Sequence, residues 1–409
     1  MISSYEAKPE EVKKVLLLYS GGLDTSVMVK WIQEKYNAEV FTLTLDVGQP
    51  LIELDHVKNK ALKLGAKDAF VVDVKKEFAE EYVLKAIKAN ALYQGKYPLS
   101  TALARPLQAK VAVEYAEKIN ADTIAHGSTG KGNDQVRFDA SIITLNPEMK
   151  IIAPVREWNM SRDKELEYAK KHGIEISENN KKYSTDENLW GKSSECDVLE
   201  FPDKEPPEDV FSFCIYPKYA PNQAEYISIE FEKGKPIALN KKKMDLHELI
   251  QELNEIAGKH GVGIYDHMED RTIGLKSREV YECPAAACIL EAHKDLEKFV
   301  STGNENHFKA IIENEWSKMV YTGLWFDPLM NALNSFIEEV NEKVSGTVNL
   351  KLFKGNAAIV GRKSPNALYD HNLATYNEGQ TFNQKASPGF IELWSLQSKM
   401  AYQLKKGKK

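Results

Sequence analysis

Tyr19-Ser20-Gly21-Gly22-Leu23-Asp24-Thr25-Ser26 is the stretch on which the fold turns. The apolar run before it, Val15-Leu16-Leu17-Leu18, has the length of a buried parallel strand. After it, Val27, Met28, Trp31 and Ile32 recur on one helical face. A strand, two glycines flanked by hydroxyls and a helix together build a phosphate site. Gly21 and Gly22 permit a tight turn, and the first helical turn leaves backbone N–H groups unsatisfied beside a partial positive charge. Ser20, Thr25 and Ser26 add hydroxyl donors. A double glycine alone favours an ordinary turn capped by Asp24 or Thr25. The preceding strand and the hydroxyls on both sides favour phosphate. A Walker-type loop carries Lys after its last Gly, and Leu23 and Asp24 stand there instead, which argues against γ-phosphoryl transfer. The lookalike Gly191-Lys192-Ser193 has Asp186 where the upstream glycine belongs.

Working outward, strands are predicted at Val15–Tyr19, Glu39–Asp46, Ala69–Val74, Thr123–His126 and Lys150–Pro154. Helices are predicted at Thr25–Tyr36, Leu54–Leu64, Lys76–Leu92, Arg105–Ile119 and Ser161–His172. That alternation implies an α/β fold with a doubly wound parallel sheet and right-handed crossovers. Ligands then gather at the carboxyl ends of the strands. The glycine loop, Asp46-Val47-Gly48-Gln49-Pro50 and His126 to Arg137 should therefore converge on one side.

Beyond Gly173 the composition changes. Glu178–Pro207, rich in Asn, Lys, Ser, Asp and Pro, reads as a long loop or linker. Hairpins are predicted at Tyr226–Phe231 with Pro236–Asn240, and at Thr347–Phe353 with Ala357–Gly361. A helix is predicted at Leu246–Lys259, so the second unit reads as α+β. The final helix, Gly389–Lys405, carries Leu393, Leu396, Met400 and Leu404 on one stripe. That stripe packs either on its own domain or on a neighbouring subunit. The resulting division is an N-terminal extension over 1–14, a nucleotide-binding domain over 15–177 and a second, α+β domain over 178–375. A C-terminal oligomerisation helix and basic tail over 376–409 complete it.

A chain of 409 residues is long enough for two domains. Its 54 basic and 60 acidic residues leave a net charge of −6, against a dominant nucleic-acid footprint. No apolar run has the length of a membrane span, and Met1 to Lys14 lacks a signal-peptide core. Cys196, Cys214, Cys283 and Cys288 lack metal-ligand spacing and read as reduced thiols. These features fit a cytoplasmic protein without membrane or nucleic-acid partners.

The second unusual segment is His126-Gly127-Ser128-Thr129-Gly130-Lys131-Gly132-Asn133-Asp134-Gln135-Val136-Arg137. Asn133 and Asp134 resemble an N-cap pair. Asp134 and Arg137, three apart, share a helical face. They form either a plain ion pair or a grip on an amino acid, the carboxylate taking the ammonium and the guanidinium the carboxylate.

These residues bring a resemblance. The glycine loop, Asp46-Val47-Gly48-Gln49, the His126–Phe138 run, Ile152–Trp158, Leu275–Glu282 and Leu350–Asn356 resemble the argininosuccinate synthase family. That family belongs to the PP-loop ATP pyrophosphatases, and the motifs occur in family order over nearly the whole chain. The resemblance implies an ATP-dependent C–N ligase that condenses citrulline with aspartate, with Mg2+, as a homotetramer. Citrulline would be adenylated with loss of pyrophosphate, and aspartate would then displace AMP. It implies ATP contacts at Leu18, Tyr19, Ser20, Gly21, Gly22, Leu23, Asp24, Thr25, Ser26, Leu45 and Gly127. Aspartate would meet Thr129, Asn133 and Asp134, and citrulline would meet Tyr97, Asn133, Arg137, Ser184, Ser193, Glu269 and Tyr281. Plainer roles exist: a packed turn for Tyr97, a polar linker for the serines, a charged stretch for Glu269 and core packing for Tyr281. The chain departs from the family at Ala102, where many relatives have a citrulline-contacting Ser, and at Leu45, where many have Ala near adenine. A different PP-loop adenylating enzyme and a nucleotide-binding sensor without turnover are the competing readings.

Overall fold

Strand β1 (Lys14–Leu18) is the centre of a five-stranded sheet in this computed structural model. The structure describes residues 4–49, 54–158, 160, 162–175, 182–375 and 382–407. The sheet is completed by β2 (Glu39–Asp46), β3 (Ala69–Asp73), β4 (Thr123–Ala125) and β5 (Lys150–Ile152), in the order β3-β2-β1-β4-β5, with every pairing parallel. All five predicted strands form, to within two residues at their ends. Side chains of β1 alternate between two cores. Val15 and Leu17 pack with Val27, Met28 and Ile32 of helix Leu23–Tyr36, while Leu16 joins Leu103 and Leu107 of helix Ser100–Lys118. That alternation is what a sheet covered on both faces requires.

Helix Ser100–Lys118 starts five residues before its predicted beginning at Arg105. Pro106 sits inside it, where the sequence had placed proline in the first turn. Its first turn, Ser100 to Ala104, is buried, so packing offsets the backbone hydrogen bond that proline deletes. The predicted helix over 76–92 is instead three segments, Lys75–Glu77, a π-helical stretch Phe78–Val83, and Leu84–Lys88.

The stretch predicted as a linker is structured. Its residues 178–181 lie outside the described residues, but β6 (Ser184–Asn188) and β7 (Gly191–Glu195) form a hairpin. The remaining strands are β8 (Glu225–Glu232), β9 (Lys235–Leu239), β10 (Lys242–Lys243), β11 (Ile264–Asp270), β12 (Lys276–Glu282), β13 (Gly346–Phe353) and β14 (Asn356–Lys363). They form two sheets, β10-β9-β8-β13-β14 and β11-β12-β7-β6, the latter antiparallel throughout. Both predicted hairpins and helix Leu246–Lys259 are present. Three further helices, Pro284–Val300, Gly303–Tyr321 and Pro328–Asn341, had no sequence assignment. One apolar cluster runs from Leu16 through Tyr97 and Trp190 to Leu352, joining the parallel sheet to both antiparallel ones.

The last helix, Ser387–Lys405, buries none of its residues. Leu393 is 76% exposed and Trp394 77%. Packing of its stripe on its own domain is therefore ruled out within the described residues. All four cysteines are free, and all but Cys196 are buried. No helix among the described residues is long and apolar enough to cross a membrane.

Candidate active site

The glycine loop leaves β1 and turns at Gly21, whose φ of +77° few side chains tolerate. Gly22 is the N-cap of helix Leu23–Tyr36, without a side-chain capping bond, so neither Asp24 nor Thr25 caps. The hydroxyls tie the loop together. Ser20 Oγ lies 3.1 Å from Thr25 Oγ1 and accepts from the Gly22 N–H at 3.3 Å. Ser26 Oγ donates to the Gly22 carbonyl at 2.6 Å and sits 3.1 Å from the Tyr19 hydroxyl. The Tyr19 carbonyl accepts from Thr44 Oγ1 at 2.8 Å, anchoring the loop to β2 beside Leu45. Sequence reasoning missed one cation. Lys60, from helix Leu54–Lys63, donates from Nζ to the Gly21 carbonyl at 2.9 Å, and burial lowers its pKa. Nothing in the linear motif points to it.

The second turn, Val47 to Gln49, meets the β6–β7 hairpin, for Leu189 N–H donates to the Val47 carbonyl at 2.9 Å. Pro50 lies outside the described residues. The third turn follows β4. His126 Nδ1 accepts from the Ser128 N–H at 3.2 Å, so its proton sits on Nε2, 2.7 Å from Asp139 Oδ1. Arg156 donates to the other Asp139 oxygen at 2.8 Å. This clamp fixes the start of the loop. Gly127 lies against Met28 and Thr25, beside the glycine loop, and a Cβ there would come within 3.0 Å of Met28 Cε. The same loop then passes Thr129, whose carbonyl accepts from the Gly132 N–H at 3.3 Å, and ends at Asn133 and Asp134.

Asn133 is the N-cap of helix Asp134–Leu145 without a capping bond; its side chain is used elsewhere. Nδ2 donates to the Tyr321 hydroxyl at 2.8 Å, and Oδ1 accepts from the Thr272 N–H at 2.9 Å. Asp134 is bracketed by two guanidiniums, Arg105 at 2.7 Å and Arg137 at 2.8 Å. Burial alone would raise the Asp134 carboxyl, but those two charges hold it down at about 2. The ion pair with Arg137 thus exists, and Arg105 is a second partner that spacing did not reveal. Arg105 also reaches Asp186 on β6 at 2.7 Å, and Arg137 Nε donates to the Tyr321 carbonyl at 2.9 Å.

Register explains the rest. Ser184 opposes Glu195, Asp186 opposes Ser193, Ser193 opposes Tyr281, and His267 opposes Glu279. Directly opposed residues share a face, as do alternate residues along a strand. Ser184, Ser193, Tyr281 and Glu269 therefore project from one face of the four-stranded sheet. Glu269 is 1% exposed and accepts from Tyr281 at 2.7 Å and Tyr321 at 2.6 Å. Tyr97 stacks on Tyr281 with ring centroids 4.0 Å apart, and its hydroxyl accepts from the Thr101 N–H at 3.0 Å. Thr101 Oγ1 lies 3.4 Å from Ser193 Oγ. Ser184 shares the face but is exposed, apart from this hydrogen-bonded group. Tyr321, Glu279 and Arg271 went unseen in the sequence. Arg271 bridges Glu195 and Glu279 and donates to the Lys131 carbonyl at 3.1 Å, tying the sheet to the glycine-bearing loop.

The glycine-bent loop thus lies beside a second loop that leads into a pocket of buried, paired charges. Two family models cover nearly the whole chain: the arginosuccinate synthase N-terminal HUP domain over 14–175 and the arginosuccinate synthase C-terminal domain over 183–401. The chain belongs to the argininosuccinate synthase family. Its relatives include the argininosuccinate synthase of Pyrococcus furiosus, 56% identical over 96% of this chain and 95% of that one. Those of Oceanobacillus iheyensis and Brevibacillus brevis are 55% and 53% identical, over 94% and 96% of this chain and 92% and 94% of theirs. Membership makes the protein an ATP-dependent ligase. Among solved structures, a 4-thiouridine synthetase in complex with RNA and ATP matches 40% of this chain and 41% of that one. Its TM-score is 0.29 at 18% identity, too low to bear on the fold.

Proposed function

We propose that this enzyme joins L-citrulline to L-aspartate at the expense of ATP, as an argininosuccinate synthase in arginine biosynthesis. The ureido oxygen of citrulline attacks the α-phosphorus, the bond to the β-phosphate oxygen breaks, and pyrophosphate leaves. The aspartate amine then attacks the ureido carbon of the citrulline adenylate, the C–O bond breaks and AMP departs. The observation that carries this reading is the single loop Gly127–Asp134, which runs from the glycine turn to the amino-acid pocket and so offers both reacting centres one scaffold.

The chain's own groups do positional and electrostatic work in this reading. The glycine loop from Leu18 to Ser26, with Leu45 and Gly127, holds the nucleotide, and Lys60 adds the ammonium that the motif lacks. Thr129, Asn133 and Asp134 hold aspartate. Tyr97, Asn133, Arg137, Ser184, Ser193, Glu269 and Tyr281 hold citrulline. Among the described residues no cluster of three or more His, Cys, Asp or Glu could cage a metal ion. Mg2+ would enter with the triphosphate at the glycine loop and supply charge neutralisation there. A second copy of the chain would cover the apolar stripe of the last helix, as in a homotetramer, and the enzyme would work in the cytoplasm.

Pyrophosphate release from ATP, with each substrate omitted in turn, tests the proposal. Release that needs both citrulline and aspartate for turnover supports it. Release with RNA alone, or tight ATP binding without release, overturns it.

A further inference from the structure

Tyr281 stands between two carboxyl groups. Its hydroxyl is 2.7 Å from Glu269 Oε2 and 3.0 Å from Glu279 Oε2. A phenol carries one proton. The neighbouring phenol adds none to spare, because Tyr321 donates to Glu269 Oε1 at 2.6 Å. With both carboxyls ionised, one carboxylate oxygen would face the Tyr281 oxygen with no hydrogen between them. Two like charges would also share a buried site. One extra proton resolves both conflicts. Placed on Glu279, it lets Glu279 donate to Tyr281 and Tyr281 donate to Glu269, which accepts from both phenols.

We propose that Glu279 is a neutral carboxylic acid in the empty site and a proton-releasing positioning residue, losing its proton when the α-ammonium of the amino-acid substrate enters beside Glu269. The inference rests on reading this pocket as the citrulline site. An arriving cation gives both carboxyls a positive partner, and the second can then ionise without repulsion.

The groups around Glu279 come from several elements. Glu195 on β7 and Arg271 after β11 flank it, His267 opposes it on β11, and Tyr97 stacks against Tyr281. Arg137 and Tyr321 lie beyond Glu269. Burial, with the charges of Glu269 and Glu195, pushes the Glu279 carboxyl up to about 8 against the pull of Arg271. Burial moves His267 the other way and favours its neutral ring. The sign follows. Below about pH 8, citrulline binding expels a proton, so affinity rises with pH by up to about tenfold per unit and levels off above it.

The test is calorimetric titration of citrulline into the full-length protein near pH 7, in two buffers of different ionisation enthalpy. The wild-type protein should release close to one proton per citrulline bound. Glu279→Gln, whose amide still donates to Tyr281, should bind citrulline with no release, and its citrulline KM should be flat where the wild-type value falls between about pH 6 and 8. Citrulline binding by the wild type without proton release, or equal release by wild type and variant, overturns the proposal; the wild-type arm needs no variant to fold. Glu269→Gln separates the underlying reading. An unchanged citrulline affinity there would remove this pocket as the citrulline site, whereas a large loss supports it whatever the proton count.

Discussion

The glycine loop and the pocket around Asp134 and Glu269 are built in different ways. The loop is eight consecutive residues whose internal bonds, such as Tyr19 to Ser26 and Ser26 to Gly22, span seven positions or fewer. The pocket is assembled from segments far apart in the chain, with Asn133 bonded to Tyr321 across 188 positions. A phosphate can be held by backbone N–H groups and a helix end, which local sequence supplies. The pocket rests on buried ionic side chains, and partners such as Arg105 for Asp134 come from other segments of the chain. The loop is therefore a local device and the pocket a tertiary one, and substitutions should separate them.

The largest effect is expected from Asp134→Ala. It strips Arg105 and Arg137 of a shared carboxylate, and the loss of charge-assisted bonds of roughly 2–3 kcal/mol should lower kcat/KM for aspartate by about 100-fold. ATP binding, measured separately, should stay within about twofold; an equal loss of both would erase the distinction drawn here. Gly21→Ala should do the reverse. Its positive φ and a Cβ only 3.1 Å from a Val57 methyl strain the turn, by about 1–2 kcal/mol. ATP affinity should fall about tenfold while citrulline and aspartate binding in equilibrium titrations hold.

A smaller effect sharpens the comparison through pH. Asp134 is held at about 2, below its ordinary value of 3.8. A depressed carboxyl stabilises the fold above its unfolded pKa, and that contribution, about 2 kcal/mol, is lost as pH falls from about 4 to 2. Acid unfolding followed by circular dichroism should show this component in the wild type and not in Asp134→Asn. The smallest effect on either region belongs to a chain ending before Ser387. The removed helix buries no side chain, so the folded body should keep its thermal stability while its mass in solution falls to that of a smaller assembly. An unchanged mass would mean that the last helix does not mediate assembly.

The parallel sheet was legible because strand period, helix period and the glycine turn are properties of neighbouring residues. Val15 to Leu18, followed by Gly21 and Gly22, could hardly be read otherwise. The polar stretch after Glu178 was misread for a physical reason. Asp186, Ser193 and Glu195 are polar because they pair with Arg105, Thr101 and Arg271 around the pocket, not because they form a solvated linker. Asp134 and Arg137 were visible as a pair three residues apart, yet Arg105, the third member, comes from another helix. Glu269 and Tyr281 emerged by likeness to a family; Glu279 lies in the family-like run Leu275–Glu282 but only the fold gives it its partners, while Tyr321 and Arg271 left no linear signal.

By itself, the amino-acid order determined the alternating strands and helices, the phosphate-shaped corner and the residues of the glycine-bearing loop, since short-range sterics and hydrogen bonding dictate each of them. Only the folded chain decided which charges neutralise one another. That depends on distances between residues that the backbone brings together from opposite ends of the molecule.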